Sequence, residues 1–282
     1  MNFIQLIGSL ELGLIYSLVA IGVFLTFRII NFSDLTVDGS FPLGAAVMAA
    51  SLSKDVNIIL AMILSLLSGM IAGAITGYLN IRYKIMEILA SILTMTALYS
   101  INLRIMGRPN ISLMNLDLSD EFRLIIIIGT ILAVSILIML LLKTQVGLAM
   151  RSTGQNPQLA CSCGVNVGKM TILTLAISNG LVALSGALFV LIQGFADISM
   201  GMGTIIIGLA SVIIGEKLTS SKSTSVLIIS VMLGAIIYRL LITTALNLEF
   251  LNLEPSDLNL ISTILVAGVM IAPIYYNKWV RK

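Results

Sequence analysis

The sequence predicts an all-α polytopic integral membrane protein of about nine membrane segments, two of them short, arranged as an inverted-topology repeat. Three observations carry this reading. The 282 residues are 58% hydrophobic and only 10% charged, with a mean hydropathy of +1.09; a soluble domain carries roughly 25% charged residues, so most of this surface meets lipid. Apolar stretches near 8–29, 57–79, 86–105, 123–142, 169–192, 225–247 and 259–277 match the roughly 20 residues that a spanning helix needs. Finally, a six-residue phrase occurs twice, Phe32-Ser33-Asp34-Leu35-Thr36-Val37 and Phe195-Ala196-Asp197-Ile198-Ser199-Met200. At the same offset of 163, Leu18-Val19-Ala20 recurs as Leu181-Val182-Ala183. Continuous runs such as Ile125-Ile126-Ile127-Ile128 lack the apolar–polar alternation of a membrane β-barrel.

The first ten residues carry no positive charge, so segment 8–29 is expected to persist as a helix and not to be cleaved as a signal peptide. Glu11, near its outer end, either meets a cationic group of a solute or reaches the headgroups. The interruption that follows, Asn31 to Ser40, holds Asp34, Thr36, Asp38 and Ser40 beside membrane-depth segments. Such a stretch either lines a pathway or is a cytoplasmic loop that caps a helix. A short segment, 41–53, comes next; Pro42 suits its first turn, and Asp38 or Ser40 suits its cap. In 57–79, Gly69, Gly73 and Gly77 form overlapping G-x-x-x-G units that let a neighbouring helix approach. Segment 86–105 completes the first half, and 123–142 connects the halves.

The 143–169 loop contains Asn156 as an N-cap, Pro157 in a first turn and Gly164 as a stop. Between them a helix of about two turns, Pro157 to Cys163, is expected. Capped and held between two spans, it is a shape for docking another protein more than a plain connector. After 169–192, Asp197, Ser199, Met200 and Met202 form either an outer gate or a turn before the second short segment, 203–216. Arg239 lies within 225–247 and either pairs with an acid or reaches the surface. The chain is thus a single transmembrane domain, 1–282, with repeat halves near 4–105 and 168–279.

Charge orients it. With 143–169 in the cytoplasm, Arg28, Arg82, Lys84, Lys143, Arg151, Lys169, Lys217, Lys222, Lys278, Arg281 and Lys282 lie inside. Lys54, Arg104, Arg108 and Arg123 lie outside, as does the acidic 248–258 loop. That places the N-terminus outside and the C-terminus in the cytoplasm, and it inverts the second half relative to the first. There is no His, and Cys161 and Cys163 read as reduced thiols on a cytoplasmic loop; no metal or other cofactor is expected. No basic cluster points to nucleic acid. No G-x-x-x-x-G-K-[ST] loop is present; if transport is ATP-driven the ATPase is a separate chain, and this chain is not expected to be an enzyme.

Several motifs, in order, carry a family resemblance. They are Leu12-Gly13-Leu14-Ile15-Tyr16-Ser17-Leu18-Val19-Ala20-Ile21-Gly22 with Ile30-Asn31-Phe32, then Asp34 to Pro42, then Gly147-Leu148-Ala149-Met150-Arg151 through Asn156-Pro157 and Gly164-Val165-Asn166-Val167, and lastly Tyr238-Arg239-Leu240-Leu241 and Pro255-Ser256-Asp257-Leu258. Together they resemble the permease subunits of bacterial ATP-binding-cassette importers of the branched-chain amino acid and ribose type, and within these the tryptophan/tyrosine uptake permeases. Cys161-Ser162-Cys163 departs from the Ala/Leu-rich helix of that pattern. The resemblance implies an inner-membrane importer subunit that pairs with a second permease chain, here as a homodimer. It also implies two copies of a cytoplasmic ATPase and an extracytoplasmic substrate-binding protein. The ATPase-coupling helix would comprise Gly147, Arg151, Asn156, Pro157, Gln158, Leu159, Ala160, Cys161 and Gly164. The substrate pathway would run past Glu11, Asn31, Asp34, Thr36, Asp38, Ser40, Asp197, Ser199, Met200 and Met202. An amino acid, aromatic or branched-chain, is the expected cargo. A stand-alone ion-coupled transporter, with Asp34, Asp38 and Glu11 as ion ligands, is the principal alternative; an Asp–Asp intramembrane enzyme and a passive channel also remain.

Overall fold

The computed structural model describes residues 3–113, 120–219 and 223–246, with Thr263, Ala267 and Gly268 beyond them. The helix expected over 259–277 falls outside the described residues except at those three positions, which are helical. The 248–258 loop, Lys222 and the last basic residues also fall outside. Among the described residues, seven helices are long and apolar enough to cross a membrane.

Helix α1 (Phe3–Val23) continues into a π-helical end, Phe24–Ile29. Asn31, at φ 54°, then turns the chain into an extended stretch; Asn tolerates this left-handed backbone better than most residues. Helix α2 (Val37–Leu52) is short. Helix α3 (Ile58–Tyr83) is started by the Asn57 side chain accepting from Ile59 N at 2.9 Å, and Lys84 ends it in the left-handed region. Helix α4 (Glu87–Met106) stops at Gly107, φ 68°. Helices α5 (Asp120–Lys143), α6 (Gln145–Gln155), α7 (Pro157–Ser162), α8 (Val167–Gln193), α9 (Thr204–Leu218) and α10 (Thr224–Leu246) follow.

Two features depart from the expected pattern. A small antiparallel pair joins β1 (Asn110–Ser112) to β2 (Phe195–Asp197), with Ile111 opposite Ala196. It is too short to show as an alternating run. The 143–169 connection holds α6 as well as α7. Gly147, Met150 and Thr153 form the buried face of α6, spaced three apart on one side of a helix. Its low overall hydrophobicity hides it from a search for spanning runs, although its apolar residues do keep to one face.

Helix α8 is the centre of the molecule and packs against α1, α2 and α3. Small residues and hydroxyls make the approach possible. Ser178 Oγ donates to Gly22 O at 2.7 Å and Ser185 Oγ to Ile15 O at 2.8 Å, tying α8 to α1. A Cβ on Gly69 or Gly73 would collide with the carbonyl oxygens of Asn179 or Leu175, and one on Gly77 would press on Ile172. The three glycines thus lie along the α3–α8 seam, where lipid offers no hydrophobic drive and close backbone packing has to supply the attraction. Helix α9 packs on α10 and α1. The outer faces of α3, α4 and α5 carry exposed Ile and Leu such as Ile71, Leu93 and Leu132. Such a continuous apolar surface suits lipid or another membrane chain and not water.

Candidate functional site

Both copies of the repeated phrase lead into shortened helices, and the two meet. Ser33 N donates to Glu87 Oε2 at 3.1 Å, at the first residue of α4. The carbonyl of Gly39 accepts from Asn102 Nδ2 at 3.3 Å, far along the same helix. The fifteen residues of α4 between these contacts span about 22 Å, so segment 33–39 climbs into the protein. It is not a surface loop: Phe32, Asp34, Thr36 and Ser40 are buried. From the other direction, the chain passes β2 and a 3-10 turn, Ile198–Gly201, before α9 begins. At about 1.5 Å per residue, α2 falls short of the roughly 30 Å hydrocarbon core, whereas α9 reaches spanning length only together with the 3-10 turn before it, as Ile198–Leu218.

The junction is a helix cap supplied from the other half of the chain. Asp38, in the first turn of α2, accepts from Ile205 N at 2.8 Å and Gly203 N at 3.3 Å. These N–H groups belong to the start of α9, where four donors lack helical partners. A carboxylate is well placed there by the helix dipole. The expectation that Asp38 or Ser40 caps the helix following Asp38 is therefore corrected. Helix α2 begins at Val37, and Pro42 lies inside it and not in its first turn. Because proline has no N–H, the Asp38 carbonyl receives no helical bond from it. Gly201 packs directly on that oxygen and on the Pro42 ring.

The other polar residues of the first phrase hold the segment in place. Asp34 Oδ2 accepts from Asn179 Nδ2 at 2.7 Å, and Asp34 Oδ1 accepts from Thr36 N at 2.9 Å. Ser40 Oγ donates to Asn179 Oδ1 at 2.7 Å, and the Thr36 and Thr76 hydroxyls are 2.8 Å apart. Asn179, near the midpoint of α8, thus joins both sides of the interruption. Asn179 was not among the residues expected from the sequence, although a lone Asn in an apolar span is a signal worth reading.

Beside the junction lies a cavity of about 560 Å³. Its walls are Asp38, Gly39 and Pro42 of α2; Met95, Thr96, Tyr99 and Asn102 of α4; and Pro109, Asp197, Ile198, Ser199 and Met202 of the opposing loops. Of the ten pathway residues expected, Asp38, Asp197, Ser199 and Met202 line it. Asp34, Thr36 and Ser40 are buried behind it. Asn31 is exposed at the turn after α1, and neither Glu11 nor Met200 belongs to the wall. The α4 wall was missed, yet Met95, Tyr99 and Asn102 are spaced by four and three and share a helix face. Asp197 accepts from Ser199 N at 2.7 Å, from the Ser199 hydroxyl and from Asn110 Nδ2 at 3.1 Å. The Ser199 hydroxyl in particular holds its carboxyl below the usual carboxylate range. Arg239 lies over the Tyr16 ring at 5.8 Å, and Tyr16 stacks on Phe41 at 5.7 Å. The arginine thus meets an aromatic face.

At the far end of the bundle, α6 and α7 lie across the helix ends. Asn156 Oδ1 accepts from Leu159 N at 3.0 Å and caps α7. Pro157, Gln158, Leu159 and Cys161 are exposed and Ala160 is buried. Helix α7 ends at Ser162, one residue before the expected end, and Gly164 turns the chain at φ 83°. Gly147 packs on the backbone of Leu141 and Leu142. Arg151 donates to Thr224 Oγ1 at 3.1 Å and to Leu142 O at 3.3 Å. Arg151 thus braces α6 against α5 and α10. An ion pair also bridges the halves there, between Arg28 in the π-helical end of α1 and Glu216 in α9.

Comparison with known proteins gives two kinds of match. The family described as branched-chain amino acid transport system, permease component, matches residues 5–273. A tyrosine transport system permease protein of Clostridioides difficile (strain R20291) is 39% identical over 231 residues, which is 79% of this chain and 78% of that one. An uncharacterized protein of Rickettsia prowazekii (strain Madrid E) is 37% identical over 203 residues, 70% of this chain and 71% of the relative. No solved structure gives a significant match.

Proposed function

From a chain that belongs to the family of branched-chain amino acid transport system permease components, we propose the transmembrane subunit of an ATP-driven importer for an aromatic or other apolar amino acid. The observation that carries this reading is the junction at Asp38. Two shortened helices, one from each half, meet inside the bundle beside a cavity. Broken helices meeting at a repeat interface are the common construction of alternating-access transporters. The order of elements supports a repeat: α1, α2 and α3 follow one another as α8, α9 and α10 do, displaced by roughly 163 residues. The excess of basic residues at the α6–α7 end supports a cytoplasmic position for that end, with the N-terminus outside and the halves inverted.

In this reading α7 docks a separate ATPase, two copies of which serve a permease homodimer in the bacterial inner membrane. An extracytoplasmic binding protein delivers the amino acid at the β1–β2 end. Closure of the ATPases pushes α7 and α6. Arg151 and the Arg28–Glu216 pair pass that movement to α1, α9 and α10, and the junction at Asp38 opens or closes the cavity. The tyrosine in the name of the Clostridioides difficile relative and the Met, Pro and Tyr side chains of the cavity support an aromatic solute. The test is reconstitution of the permease with its co-purifying ATP-hydrolysing chain in vesicles. ATP-dependent tyrosine accumulation is expected. Accumulation that follows an ion gradient without ATP would overturn the importer reading.

A further inference from the structure

We infer that the cavity beside Asp38 is an ammonium-recognising site: it takes the amino group of an amine-bearing aromatic or apolar solute, and it makes no use of the solute's carboxylate. This rests on the transport reading and names which end of the solute the permease holds.

The argument starts from an orphan atom. Asn102 is fully buried, and its Nδ2 donates to the Gly39 carbonyl, which can only accept. The amide orientation is therefore fixed by its partner. Its Oδ1 finds no hydrogen-bond partner among the described residues, and Asn102 lines the cavity. A buried acceptor without a donor is costly. A ligand N–H would remove that cost once a small side-chain shift opened the buried oxygen to the cavity.

Charge gives the sign of the donor. Among the described residues, the lining includes the carboxylates of Asp38 and Asp197 and no Lys or Arg. Arg104 and Arg108, on the same side of the molecule, are exposed and outside the wall. An ammonium placed at Asn102 Oδ1 would lie in this negative field, and partial exclusion of water strengthens the attraction.

The usual alternative for an amino acid is capture of its carboxylate by a helix N-terminus. Here that position is taken. The first free N–H groups of α9 already bind the Asp38 carboxylate. A solute carboxylate would have to displace it and then lie beside it. The remaining walls, Met95, Tyr99, Pro42, Ile198 and Met202, suit an aromatic or aliphatic body. The Tyr99 ring adds a face attractive to a cation.

The experiment measures binding to the purified permease in lipid nanodiscs by isothermal titration, with no partner proteins. Three probes share one aromatic body: tyrosine, tyramine, which lacks the carboxylate, and 3-(4-hydroxyphenyl)propionate, which lacks the amino group. Tyramine is expected to bind as tightly as tyrosine or more tightly, and the propionate at least tenfold more weakly, the scale of a lost hydrogen bond to a charged group. Asn102→Leu should weaken tyramine about tenfold. Asp197→Asn, which keeps the shape of the turn, should weaken it less and flatten its salt dependence. Propionate binding equal to that of tyrosine, no binding by any probe, or an unchanged tyramine affinity in a folded Asn102→Leu protein would each overturn the inference. ATP-dependent tyrosine uptake by the full assembly tests the transport reading separately. Uptake that persists alongside equal propionate binding would sink the ammonium site and leave that reading standing.

Discussion

Asn179 does more for the site than any residue singled out by its charge. It donates to Asp34 and accepts from Ser40, so it satisfies polar groups on both sides of the extended stretch. Replacing it by Leu leaves a buried carboxylate and a hydroxyl short of partners. The expected loss is about 3 kcal/mol of stability, seen as a lowered unfolding midpoint in detergent. An unchanged midpoint would show that the network does not hold the segment. Asp197 illustrates a surface carboxylate that works by a different balance. Its folded pKa is lowered, mainly by the Ser199 hydroxyl. The bonds it accepts therefore add stability above its ordinary titration range, and this is lost as pH falls through the lowered value. The Tm difference between parent and Asp197→Ala should stay constant above about pH 5 and shrink in stronger acid. A difference that already falls between neutrality and about pH 5 would contradict that assignment.

At the scale of elements, the bundle separates a tightly packed centre from the α6–α7 edge, the proposed docking edge. Helix α8 meets α3 through Gly69, Gly73 and Gly77, where the two backbones touch. Helix α7 has only six residues, with Leu159 60% exposed in its middle. An exposed Leu on a capped single helix suits insertion into a partner's groove. Leu159→Asp, combined with Pro157→Gly, is expected to leave the permease folded and abolish transport-coupled ATP hydrolysis. Normal coupled hydrolysis in that variant would show that α7 is a connector. This edge is held at a distance from the cavity by α6, whose face of Gly147, Met150 and Thr153 rests on the bundle. The connection from docking to cavity therefore runs through helix ends.

For the molecule as a whole, the first consequence to test is its orientation. The chain has two cysteines, Cys161 and Cys163, and both are free and exposed in or just after α7. A membrane-impermeant maleimide should label them in inside-out vesicles and not in intact cells, and the docked ATPase should slow the labelling. Labelling from the outside would reverse the orientation. The cavity faces the opposite end, with Pro109 and Met202 exposed at its rim. In the proposed reading, solute entry and ATPase docking therefore lie on opposite sides of the membrane.

Much of this was legible in the sequence for simple reasons. Helices in lipid must satisfy their own backbone and present apolar side chains, so composition and run length located the spans that the structure describes. Asn156, Pro157 and Gly164 act locally, so the short capped helix could be read with nearly its true bounds. The repeated phrase marked both interruptions. Tertiary structure decided what the interruptions do. Nothing local reveals that Asp38 caps a helix 165 residues later, or that Asp34 turns inward to Asn179 and not toward the cavity. Nor could the sequence set Met95, Tyr99 and Asn102 opposite the second phrase. Caps within one turn are fixed by neighbours in the chain, whereas a cavity is fixed by which helices pack together, and here that depends on where glycines and hydroxyls allow two backbones to touch.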